Sequence, residues 1–245
     1  MSTSTARPGG PPSSPMRNNS EADISTRRSS HTKQPKEIVM SRRMIAVNVG
    51  LLFFVQMVTA MFGTSFIQAF VDGDNERAPL TIGVLLMMCS GVAVVGIGLL
   101  MYKVLKAVNQ RLAFWYATLR IIEFTVSTAC GAYLLTQLEV VPNDLLWVYI
   151  PTGLGGLILN YLLFVSRLVP RPISVLGFVG YALLSLGVPL DLLGVLDMNE
   201  GPGLLLLAPG GLFEFVILPI WLISKGFRSP MSQTEPKSPA LATRN

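Results

Sequence analysis

The sequence predicts an all-α, polytopic integral membrane protein: six transmembrane helices in one bundle, with both termini cytoplasmic. Three observations carry this. Of the 245 residues, 51% are hydrophobic and only 13% charged, about half the charged share of a soluble domain. Six apolar stretches are each long enough to cross about 30 Å of hydrocarbon as helix. Seventeen of the nineteen Lys and Arg residues fall in the two tails and in alternate loops, the asymmetry that marks the cytoplasmic side.

The chain divides into three parts: a basic tail over 1–43, a bundle over 44–224 and a short tail over 225–245. Residues 1–43 are rich in Ser, Thr, Pro, Arg and Gly and show no hydrophobic period. Such a segment cannot bury a core and is expected to be disordered, as is 225–245. The polar lead is too long, and the first apolar run too extended, for a signal peptide, so the run is expected to be retained.

The spans are expected at 44–71, 80–102, 112–136, 145–166, 173–195 and 203–224. Their short linkers make successive helices antiparallel neighbours. Arg42 and Arg43 precede the first span, Lys103, Lys106 and Arg111 follow the second, Arg167 and Arg171 follow the fourth, and Lys225 and Arg228 follow the sixth. The opposite loops hold Asp72, Asp74, Glu76, Glu139, Asp144, Asp191, Asp197 and Glu200. Pro151, Pro189, Pro209 and Pro219 lie in or beside spans, where proline can kink a helix. Gly153-Leu154-Gly155-Gly156 and Gly201-Pro202-Gly203 are expected to form flexible entry turns.

Three charges break the apolar pattern. Arg120 and Glu123 share one face of the third span, being three residues apart. Glu214 lies half-way along the sixth. At about 1.5 Å of rise per residue all three sit near the midplane. An unpaired charge there costs at least about 2.5–3.5 kcal/mol, so the three should face inward and pair. Two readings stay open: a substrate or proton site, or an ion pair that orients the third and sixth helices. Gln56, Gln68, Asn160, Tyr161 and Tyr181 are further polar side chains in the spans, suited to interhelical hydrogen bonds or to lining a cavity. Glu123-Phe124 recurs as Glu214-Phe215, a match too short to establish a repeat.

No catalytic, metal or cofactor signature is present. The single histidine, His31, lies in a tail, and Cys89 and Cys130 lie in spans. There is no His-Glu-x-x-His, no G-x-S-x-G with a His partner and no phosphate-cradling loop. The expectation is a non-enzyme without cofactors, in contact with the lipid bilayer and not with nucleic acid. The basic N-terminal tail offers contact with anionic lipid.

Several segments resemble one family, the bacterial membrane proteins catalogued as domain of unknown function 4386. They are Ser41-Arg42-Arg43, Arg120 with Glu123, Leu168-Val169-Pro170-Arg171-Pro172 leading into Leu176-Gly177, and Glu214 with Trp221-Leu222-Ile223-Ser224-Lys225-Gly226-Phe227. The likeness covers residues 41–228. It implies a six-helix bundle in a bacterial plasma membrane and transfers no catalytic residue. A small-solute or proton-coupled carrier using Arg120, Glu123 and Glu214 is the leading functional expectation. The alternative is a non-catalytic structural or regulatory membrane subunit that binds a partner through its helices.

Overall fold

A computed structural model describes residues 41–73, 76–198 and 201–228. The parts of the expected tails at 1–40 and 229–245 lie outside these residues. The described residues are helices joined by short turns, in one compact unit. Helix α1 spans Arg42–Val71, α2 Arg77–Leu105, α3 Gln110–Gln137, α4 Asp144–Ser166 and α5 Arg171–Leu192. The last rod is composite. A 3₁₀ turn at Gly201–Gly203 leads into α6 (Leu204–Gly211), a π-helical segment at Leu212–Ile217 and α7 (Leu218–Ser224).

Local chemistry sets these boundaries. The Ser41 side chain accepts from the Met44 amide at 3.2 Å and starts α1, and Asn109 does the same for α3 through Leu112 at 3.1 Å. Pro170 and Pro172 open α5, where a missing amide proton leaves nothing unsatisfied. Leu138 and Arg167 close α3 and α4 in the left-handed conformation.

Four helices and the composite rod are long and apolar enough to cross a membrane: α1, α2, α4, α5 and 201–224. The exception among the six rods, α3, is 28 residues long. Its apolar character is diluted by Arg120 and Glu123, which it buries.

Each rod packs on its neighbours in sequence, and α7 returns to α1, so the six close into a ring. The closure is specific. Arg43 of α1 donates to the carbonyl oxygens of Ile223 (2.8 Å) and Ser224 (3.2 Å) at the end of α7, satisfying carbonyls that a helix C-terminus leaves bare. Gly226 follows at φ +73°, with Arg43 where a side chain would begin. Arg228 then donates its amide to the Leu168 carbonyl at 2.8 Å. Residues 41–43 and 225–228 therefore pack at this end of the bundle. The two segments expected to resemble one family, at 41–43 and 221–227, meet here.

Two expectations about special residues change. Gly153, Gly155 and Gly156 do not form an entry turn; they are buried in the interior of α4. Gly156 lies under the Tyr181 ring of α5, which would overlap any β-carbon placed there. Proline breaks the helical pattern only near the end of the chain. Helices α4 and α5 continue through Pro151 and Pro189. Before Pro219, however, the Leu218 amide bonds to the Phe213 carbonyl, five residues back. Pro219 cannot donate and crowds the carbonyl four residues before it, and the helix widens into the π segment.

Neighbouring Gly155 and Gly156 separate packing from propensity. A β-carbon at Gly155 meets Leu119 at an ordinary 3.6 Å. Gly155→Ala should be neutral or stabilise by up to about 1 kcal/mol. Gly156→Ala gains the same propensity but displaces Tyr181, and should destabilise by about 1–3 kcal/mol. Thermal unfolding in detergent measures both; equal effects would reject the packing assignment.

Candidate functional site

Arg120, Glu123 and Glu214 meet half-way through the bundle. The Arg120 guanidinium donates to Glu123 at 2.8 Å and faces Glu214 at 3.6 Å, an ion pair without a hydrogen bond. Arg120 is 1% exposed, Glu123 8% and Glu214 6%. Gly98 of α2 makes room for this arginine, since a β-carbon there would stand 3.0 Å from that of Arg120. The π segment carries Glu214 inward beside buried Phe213.

Helices α1, α2 and α5 contribute to the same polar level. Gln56 of α1 donates to Glu214 at 3.2 Å. Ser90 of α2 donates to the Gln56 carbonyl at 3.2 Å, and Tyr181 of α5 donates to the other Glu214 oxygen at 2.5 Å. Gln56 and Tyr181 thus take direct part in the site, whereas Gln68 bonds to Asp72 in the open (3.0 Å) and Tyr161 is half exposed. Asn160 turns back on its own helix, to the Gly156 carbonyl. Tyr116 is an additional member. It is wholly buried, and its ring lies 5.5 Å from the Arg120 guanidinium, in cation–π range. Its place four residues before Arg120, on the face that also carries Glu123, is the signal that finds it.

The two carboxylates border a cavity of about 320 Å³ between the rods. Thr64, Ser127, Thr152, Leu184 and Leu207 represent its walls from five rods, and Met87 comes from the sixth. Glu123-Phe124 and Glu214-Phe215 both line it. The cavity is one-sided. Its wall residues lie between the polar level and the end of the bundle that carries Asp72, Glu76, Leu138, Asn143 and Leu193. Towards the other end, which holds Arg43 and Lys225, the interior is filled by Phe53, Met101, Leu105, Leu163 and Leu222, all at most 1% exposed. A shallow, open groove runs along α1 past Gln68 and Asp72 and shares Ala60, Thr64 and Phe215 with the cavity. Arg120 does not line the cavity; it lies behind its carboxylate partners. Among the described residues, no group of three or more His, Cys, Asp and Glu side chains is placed to hold a metal ion.

Apolar rods of this length around a buried charge cluster define a multi-pass integral membrane protein. The chain belongs to the family described as domain of unknown function 4386, whose model matches residues 48–144 and 132–226. No curated protein and no solved structure matches it.

The pairing distances rank the couplings. Arg120→Leu should destabilise by about 3–5 kcal/mol, because it strands two buried carboxylates. In double-mutant cycles followed by thermal unfolding, Arg120 should couple more strongly to Glu123 than to Glu214. Zero coupling in both cycles would reject the cluster as a stabilising unit. Tyr181→Phe removes one donor from Glu214 and should cost about 1–3 kcal/mol.

Proposed function

We propose that this protein is a small-solute carrier, proton-coupled or cation-linked, of a bacterial plasma membrane. In this reading all six rods span the bilayer and both termini are cytoplasmic. The observation that carries it is the one-sided cavity that ends on Glu123 and Glu214. A pair serving only to orient two helices needs no chamber beside it, whereas a carrier needs a midplane site reached from one side and closed to the other. The packed end carries the basic loops, so the cavity faces outward in this orientation. Counted as ions, one guanidinium and two carboxylates leave one negative charge. A proton or a cationic solute balances it, which links occupancy of the cavity to charge. The chain is a non-enzyme in this reading.

Orientation is tested on a variant with Cys89 and Cys130 replaced by Ser. A cysteine at Glu139 should react with an impermeant maleimide on intact cells, and one at Lys106 should not. The opposite labelling pattern overturns the topology. Transport is tested in proteoliposomes on a solid-supported membrane, with a panel of small cationic, anionic and neutral solutes under a pH gradient. At least one solute should evoke a current that empty vesicles lack and that Glu214→Gln abolishes. Silence across the panel from a folded protein overturns the carrier reading and leaves a partner-binding subunit.

A further inference from the structure

The walls of the cavity specify more than a solute of small size. Glu123 and Glu214 present carboxylates, and Gln56, 8% exposed, lines the cavity with its side-chain oxygen buried and without a hydrogen-bond partner. Several donors on the cavity wall are already engaged. Ser90 and Thr152 donate to backbone carbonyls, and the Gln56 amide and the Tyr181 hydroxyl to Glu214. The carboxylates and the Gln56 oxygen stay as acceptors on the cavity wall, and the Ser127 and Tyr149 hydroxyls can accept as well as donate, so the matching ligand brings N–H donors.

Charge gives the same answer. An anionic ligand would seek Arg120, but the guanidinium lies behind Glu123 and Glu214, out of the cavity wall. The cavity's end of the bundle carries Asp72, Glu76, Glu139 and Asp191 against Arg77 on its turns and helix ends, a net negative field that gathers cations. Away from the carboxylates the chamber is mainly apolar, with Phe124, Tyr149, Phe215 and Leu207 on its walls beside Thr64 and Ser127. Its volume of about 320 Å³ is at the lower end of small-molecule sites.

We propose that the cavity binds a small organic ammonium ion: a protonated primary amine with a compact apolar body. The ammonium group sits between Glu123, Glu214 and the Gln56 oxygen. The body lies against the aromatic rings, which also attract a cation over their faces. The bound ammonium brings the cluster to zero net charge. This inference names the substrate class of the carrier described above and rests on that reading for its transport role, but binding itself is separately measurable.

Benzylammonium is the probe, with benzyl alcohol as its neutral counterpart and benzoate as its anionic one. Isothermal titration of the full-length protein in detergent at neutral pH should show saturable amine binding with Kd below about 1 mM. Benzyl alcohol should bind at least about tenfold more weakly, since it lacks the charge-assisted bonds. Glu214→Gln should weaken the amine by about tenfold or more. Leu207→Trp fills the chamber without touching a charge and should abolish binding, which keeps the test sound if Glu214→Gln fails to fold. Equal affinity for the alcohol, preference for benzoate, no saturation by about 10 mM, or binding that survives Leu207→Trp would each overturn the proposal. Amine binding without any solute current removes the carrier reading alone. A current from other solutes without amine binding removes this inference alone.

Discussion

A guanidinium buried in a membrane bundle has to be met by carboxylates, and carboxylates so deep have to be met by donors. Much of this architecture follows from satisfying that chain of demands. Arg120 engages Glu123 one turn along its own helix and faces Glu214 from the far end of the sequence. Glu214 in turn takes Gln56 from α1 and Tyr181 from α5, and Gln56 offers its carbonyl to Ser90 of α2. Electrostatics therefore ties together helices that apolar contact alone would leave free to slide, because lipid tails and leucine side chains are alike to one another.

The small residues make this network sterically feasible. Gly98 lets α2 approach at the level of Arg120, and Gly156 lets the Tyr181 ring lie flat against α4 with its hydroxyl at Glu214. Gly180 meets Gly210 backbone to backbone, which draws α6 against α5 just before the π segment begins. With the rods this close at their middles, the two ends of the bundle diverge in character. One is packed by Phe53, Met101 and Leu163; the other keeps a chamber whose floor is the charge cluster. The polarity of the molecule along its long axis arises from packing as much as from the loop charges.

The rods were legible from length and composition, since each apolar run had to become a helix in lipid. Their ends are set by cap residues such as Ser41 and Asn109, which apolar length alone does not single out. Meeting of the three charges could be expected because charge is costly at that depth. The rest depended on three-dimensional neighbours. Gly155 and Gly156 look like a loop in one dimension and act as contact surface in three. Tyr116 carries a signal in its four-residue spacing from Arg120, but the spacing alone does not place the guanidinium over its ring. Polar residues such as Gln56 and Tyr181 hint at a cavity in the sequence, but its place and size do not show there, because it is made of what six separate helices do not fill. The closing contact of Arg43 with the last turn of α7 joins residues 180 positions apart, beyond the reach of any local pattern.

The π segment at Leu212–Ile217 has a consequence for the way this chain can change over time. A π turn is an α-helix that holds one surplus residue. Deleting any one residue of the segment would restore the ordinary ladder and rotate the rod on one side of it by about 100° relative to the other. Either Glu214 would leave the cluster or the turn bonded to Arg43 would leave its partner. Substitutions within Leu212–Ile217 alter only a side chain, whereas a change of length there breaks one or the other of two distant contacts. The apolar segment that looks most tolerant on composition is thus held to a fixed count of residues, one that hydropathy does not register.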